Sequence, residues 1–168
     1  RWIDWVGLDN DEVKELLWDF NFHELDVEAC LEENQTARID AYDNYLFIIL
    51  HFPKYNEQTK TYVLNEFNIF IWDDFIITLQ NYWWVHVDAL FEKYKTAKHD
   101  KDKEIKLSPG YILYEIIQVM LEKMFKVGGN VKKDMKVIES HVFDNANAAL
   151  VKEIMIKKRN IVVLKHMF

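Results

Sequence analysis

Apolar residues along the 168-residue chain change their spacing several times, and each change marks an element. Residues 2–8 alternate, with Ile3 and Trp5 on one side and Trp2, Asp4 and Val6 on the other. That spacing predicts a short strand ended by Gly7. Asp9 or Asn10 is placed to cap a helix whose first turns carry Asp11, Glu12 and Glu15, where the positive helix end favours acids. Val13, Leu16, Leu17 and Phe20 recur at the three- and four-residue spacing of one buried face, and Asn21 closes the run. A second short helix is expected over residues 24–32. Leu25, Ala29 and Leu31 would turn inward, leaving Asp26, Glu28, Glu32 and Glu33 to solvent. Asn34-Gln35-Thr36 reads as a connector.

The central strand is expected over residues 39–52, starting in earnest at Tyr42. Its run YLFIIL is nearly continuous, as in a strand covered on both faces. Pro53 and the polar residues 56–60 predict a turn. Residues 62–72 form the next strand, and Asp73-Asp74 turns it into FIITLQ, residues 75–80, as an antiparallel hairpin. Residues 83–94 predict a helix with Trp84, Val87, Leu90, Phe91 and Tyr94 on one face. KTAKHDKDKEIK, residues 95–106, reads as a charged loop. Ser108-Pro109 starts a helix that carries Leu113, Ile116, Ile117, Met120, Leu121 and Met124. Gly128-Gly129 predicts its end. Val131, Met135, Ile138 and Val142 resume the periodicity, and a last helix from about residue 147 carries Leu150, Ile154, Ile161 and Leu164.

The order β-α-α-β-β-β-α followed by long helices predicts the α/β class. We expect an α/β/α layered domain with a mixed, largely antiparallel sheet and a C-terminal long-helix arm. Residues 1–107 would form the sheet portion and residues 108–168 the helical portion. The long helices carry more apolar positions than one neighbour needs, which points to self-association.

Charge sharpens this picture. The net charge is −7, with 18 of the 28 acidic residues in the first 90 positions and 16 of the 21 basic ones after them. An acidic pole of this kind disfavours nucleic acid as a partner; it reads first as a solvated surface and otherwise suits an inorganic cation. The single cysteine, Cys30, excludes an intrachain disulfide and a thiolate-only metal cage. The 6 Trp, 8 Tyr and 11 Phe can fill a core and also mark a surface covered by another chain. No run approaches the roughly 18–20 apolar residues of a membrane span, and no basic leader precedes an apolar segment and cleavage site. The chain opens on Arg1-Trp2 and stops within the periodic run LKHMF, so it reads as a piece of a longer protein.

Candidate chemistry concentrates at His23, Glu24, Asp26 and Glu28. Their spacing does not gather three groups on one helical face, nor is it the HExxH arrangement of a zinc hydrolase. Weak, hydrated Mg²⁺ held by one or two carboxylates suits such a set, because Mg²⁺ keeps its waters. His23 reads equally as a capping residue where the two helices meet. No G-x-S-x-G, P-loop or G-x-G-x-x-G motif occurs. Cys30 reads as a small packed residue, and His51, His86, His99, His141 and His166 are scattered. No enzyme is expected.

WIDWVG at residues 2–7, the F-x-H-x-L-x-x-E spacing through His23, Leu25 and Glu28, and RIDAYDNYLFIIL from Arg38 resemble the CorA family of magnesium transporters. FIITLQ, SPGYILYEII and IKKRNIVVLKH follow in the order found there. The resemblance runs from about residue 2 to 168. It implies a cytoplasmic, regulatory, divalent-cation-sensing domain that does not itself conduct, at the cytoplasmic face of the cell membrane. The whole protein would be a homopentamer whose own stalk and two transmembrane helices, the first ending in Gly-Met-Asn, follow this part. Mg²⁺ would bind between subunits and favour the closed pore, with Glu28 and Asp26 as the metal-ligand candidates. The family's H-P-L-x-x-E-D stands here as His23-Glu24-Leu25-Asp26-Val27-Glu28-Ala29, and its R-P-K as Arg38-Ile39-Asp40. Two other readings stand beside this one: the domain of a related zinc or other divalent-cation transporter, and a soluble α/β interaction or scaffold module.

Overall fold

The computed structural model describes residues 1–32, 35–97, 108–142 and 147–165. The strands are β1 (Trp2–Val6), β2 (Arg38–Ala41), β3 (Leu46–Asn56), β4 (Thr61–Ile71) and β5 (Ile76–Gln80), with two helices between β1 and β2 and three after β5. The helices are α1 (Asn10–Trp18), α2 (Glu24–Leu31), α3 (Val85–Ala97), α4 (Pro109–Val142) and α5 (Ala148–Lys165). One sheet results, in the order β1-β5-β4-β3-β2. β1 runs parallel to β5, while β4–β5 and β2–β3 are antiparallel. The short link 57–60 permits only a hairpin between β3 and β4, since a parallel return needs a crossover. The sheet is therefore mixed and largely antiparallel, as expected. The charged segment read as a loop is helical through Ala97, and residues 98–106 lie outside the described residues.

Two compact units divide the chain. One comprises Arg1–His51 with Glu66–Met120, the other Phe52–Asn65 with Leu121–Phe168. In the first, alternation along the strands sorts side chains to two faces. Phe47, Ile49, Phe70, Ile77 and Leu79 meet Val13 and Leu17 of α1 and Ala29 and Cys30 of α2 in one core. On the other face Trp2 packs edge-on against Phe91 and Tyr94 of α3, with ring centroids 5.0 and 5.9 Å apart. Val87, Leu90, Ile112, Ile116 and Met120 are buried on the helices of that side. Thr78 ties this face together: it receives the Trp2 indole N–H at 2.9 Å and donates to Asp4, which also accepts from Gln80. Burial holds the Asp4 carboxyl above its usual range, against the pull of those two donors.

Three expectations are corrected. The single strand over residues 39–52 is two strands, joined where Tyr42 N–H donates to the Tyr45 carbonyl at 2.9 Å. Asp43-Asn44 supplies the turn, and Ala41 then pairs with Leu46. Gly128-Gly129 does not end its helix, because α4 runs 34 residues without a break. Two glycines cost such a helix only about 2 kcal/mol relative to alanine, within what its other turns supply. Finally, α2 is rotated from the apolar face read in the sequence: Leu25 is 61% exposed, and Asp26, Ala29 and Cys30 are the buried positions.

Candidate functional site

The loop between α1 and α2 sets the geometry of the candidate site. Asp9 caps α1 in a reciprocal arrangement, accepting from the Glu12 N–H while Glu12 accepts from the Asp9 N–H. α1 ends at Trp18, and Asn21 adopts a left-handed backbone with φ of 54°, a conformation asparagine tolerates better than most residues. The turn drives Phe22 inward, where it stacks on Phe70 with centroids 3.9 Å apart. His23 follows as the N-cap of α2, its Nδ1 accepting from the Leu25 N–H at 3.2 Å. The capping role read for His23 in the sequence is thus the one it fills.

Asp26 is 1% exposed and has both carboxylate oxygens engaged. Tyr42 donates to Oδ1 at 3.0 Å and Tyr45 to Oδ2 at 2.7 Å. The two phenol rings stack 4.4 Å apart, His23 stacks on Tyr42, and the His23 N–H donates to the Tyr45 hydroxyl at 2.9 Å. Burial first, and the Asp26 carboxylate second, push the Tyr42 hydroxyl above its ordinary range. Burial likewise pushes Tyr45 up, partly opposed by the His23 N–H. Such a knot orients α2 on the β2–β3 turn. It leaves Asp26 no vacant acceptor directed at solvent.

Glu28, two residues on, is exposed. At 100° per residue, positions two apart point to nearly opposite sides of a helix. Asp26 and Glu28 therefore do not converge on one ion. Glu28 instead joins Glu24, Lys14 and Trp18 around a groove of about 640 Å³ between α1 and α2. Ala29, where the resembled family places an aspartate, is 3% exposed in the core with Val13 and Leu17. Among the described residues no group of three His, Cys, Asp or Glu side chains is arranged to hold a metal. Cys30 is buried, and its thiol is pushed well up by desolvation and by the carboxylates of Asp26 and Glu66. It is a packed residue without thiolate character at neutral pH.

Sequence reading missed the Asp26–Tyr42–Tyr45 knot, although the Y-D-N-Y spacing around the β2–β3 turn carries its signal. It also missed a buried glutamate on the sheet with a partly buried histidine beside it. Glu66, 7% exposed, accepts from the Gln35 N–H at 2.7 Å and lies 3.8 Å from His51 Nε2. The strand run around Glu66 offers no cue that this glutamate faces the core.

Among the described residues no helix is long and apolar enough to cross a membrane. Comparisons with known proteins converge on one family. A family model described as CorA-like Mg²⁺ transporter protein matches residues 1–168. YfjQ of Bacillus subtilis (strain 168), whose name assigns it to metal ion transport, is 26% identical over 138 residues, covering 82% of this chain and 41% of its own length. The cobalt/magnesium transport protein CorA of Thermotoga maritima is 21% identical over 166 residues, 98% of this chain and 46% of that protein. The chain thus spans less than half the length of these relatives. The soluble domain of CorA from Methanocaldococcus jannaschii shares the fold, with a TM-score of 0.79 at 16% identity over 99% of this chain and 64% of that one. From its first residue to its last, this chain belongs to the CorA-like Mg²⁺ transporter family.

Proposed function

We propose that this chain is the cytoplasmic, cation-responsive part of a divalent-cation transporter that carries Mg²⁺ and works as a homo-oligomer, a pentamer in the whole protein. The observation that carries the reading is the family match over all 168 residues. Two features of the chain support it. The acidic pole lies on the half that builds α1 and α2, and the groove between these helices presents Glu24 and Glu28 to solvent. In this reading Glu28 holds hydrated Mg²⁺ through water, with a second subunit supplying further oxygens. Asp26 contributes by fixing α2 through its two tyrosines. A ligand that bridges subunits better in one state shifts the population toward that state. Here that state is the closed one.

The test uses the full-length protein that carries this chain. Reconstituted into liposomes, it is expected to pass Mg²⁺ when the cytoplasmic side holds little of it, and to pass less as Mg²⁺ there is raised. Parallel assays with Zn²⁺ and Co²⁺ separate the cargo from its alternatives. Absence of flux for all three ions would overturn the transport reading. Flux indifferent to cytoplasmic Mg²⁺ would overturn the sensing one.

A further inference from the structure

In the second unit α5 meets the β3–β4 hairpin in an unusual way. Asn160 is its one buried position among the described residues, at 2% exposure, and it is polar. Its Oδ1 accepts from the Tyr62 N–H at 2.9 Å, and its Nδ2 donates to the Lys60 carbonyl at 3.0 Å. One side chain therefore satisfies a donor and an acceptor two residues apart on the hairpin backbone. Lys60 itself has φ of 57°, the left-handed conformation that a lysine rarely adopts. The preceding turn is fixed locally, since Asn56 Oδ1 accepts from the Gln58 and Thr59 N–H groups. Lys60 is held at the end of that turn with its carbonyl aimed at α5.

Lys157 pairs with Asp134 of α4 at 2.5 Å. Beside them Met124, Gly128 and Val131 of α4 and Ile161 and Leu164 of α5 line an open, apolar groove of about 240 Å³. A Cβ added at Gly128 would meet nothing within 4 Å. A helix seated by apolar packing is held by broad burial, but the one buried side chain of this helix among the described residues is a polar one, paired at both ends to the hairpin backbone.

We propose that Asn160 is a key that holds α5 on the β3–β4 hairpin in a releasable state, so that the strained turn at Lys60 and the docking of α5 form and break together. Releasing α5 frees Lys60 from its left-handed conformation. Docking it requires that conformation, because only then do the Lys60 carbonyl and the Tyr62 N–H face one side chain. The device is independent of which cation the protein carries.

Amide hydrogen exchange read residue by residue by NMR tests the proposal on this chain. Asn160→Leu removes both hydrogen bonds at similar volume. It is expected to speed exchange at Tyr62 and along residues 148–165 by roughly 30-fold, the equivalent of two hydrogen bonds of ordinary net strength. β1 and β5 should be unchanged. Asn160→Asp keeps an acceptor for Tyr62 but sets a buried carboxylate oxygen against the Lys60 carbonyl, and should give at least as large an increase over the same residues. Unchanged α5 exchange in both variants would overturn the proposal. So would acceleration that spreads equally to β1 and β5, because Asn160 would then serve overall stability and not a local release.

Discussion

The Tyr45 hydroxyl stands between two partners, donating to Asp26 at 2.7 Å while accepting from the His23 N–H at 2.9 Å. One phenol thereby joins the start of α2, its buried carboxylate and the first residues of the β2–β3 turn. Removing the hydroxyl leaves a buried carboxylate oxygen and a backbone N–H each short of a partner. Tyr45→Phe should therefore cost about 1–3 kcal/mol, read as a lower urea midpoint at unchanged slope. Tyr42→Phe should cost less, because Tyr42 is only partly buried whereas Tyr45 is buried and also satisfies the His23 N–H. Equal stability of Tyr45→Phe and the parent chain would show that the knot does not hold α2.

The same hydroxyl gives the protein an alkaline limit. Tyr45, Tyr94 and Cys30 all have their ionisation pushed above the ordinary range, burial being the largest cause for each. The folded state then holds these protons more tightly than the unfolded chain. Their contribution is fully present below the unfolded values, near about 8.5 for cysteine and about 10 for tyrosine, and is lost as pH rises toward the folded ones. Stability measured by urea unfolding should fall from about pH 9 upward. Tyr45→Phe should flatten that fall. A profile level to pH 11 would contradict the argument.

Most of the sheet was legible in the sequence because β-branched and aromatic runs such as NIFIW and FIITLQ resist any other reading. The β2–β3 turn was not, because Tyr42 and Tyr45 flank Asp43-Asn44 with residues that also suit a continuous strand. The phase of α2 was hidden for a related reason. Leu25 and Asp26 look like an inward and an outward residue, yet two tyrosines from another strand pair pull the aspartate in and turn the leucine out. Gly128-Gly129 misled in the opposite direction: a local penalty that ends a short helix is absorbed by one of 34 residues.

Ala29 shows how far the candidate site has moved from the family's pattern. Placing the family's acid there by Ala29→Asp would put a charge in a core position beside Val13, Leu17 and Cys30. Asp26 lies three residues away on the same buried side and would add like-charge repulsion. The substitution should cost ~3 kcal/mol or more. Millimolar Mg²⁺ should not restore the lost melting temperature. Recovery by Mg²⁺ would mean that position 29 reaches a metal, contrary to its burial.

In the proposed function Glu28 is the carboxylate that meets the cation, and an exposed one holds hydrated Mg²⁺ weakly. Titration calorimetry on this chain should give a shallow, saturable isotherm within tens of millimolar Mg²⁺, and Glu28→Ala should remove most of its heat. Asp26→Asn should act differently, lowering the urea midpoint while leaving any Mg²⁺ heat per folded molecule in place. Identical isotherms for the parent chain and Glu28→Ala would exclude this residue as a ligand.

Gly128 and Gly129 offer the reverse kind of change, a gain. Both lie inside α4, and a Cβ at either meets nothing within 4 Å. Alanine there narrows the unfolded chain's backbone freedom without a clash, so each of Gly128→Ala and Gly129→Ala should add about 0.5–1 kcal/mol. The two sites are not equivalent, however. Gly128 borders the open groove lined by Ile161 and Leu164, whereas Gly129 does not line it. Gly128→Ala should therefore slow exchange along α5 in addition to raising the melting temperature, and Gly129→Ala should raise the melting temperature alone. If both alanines protect α5 equally, the gain is helix propensity only and filling the groove adds nothing to its docking.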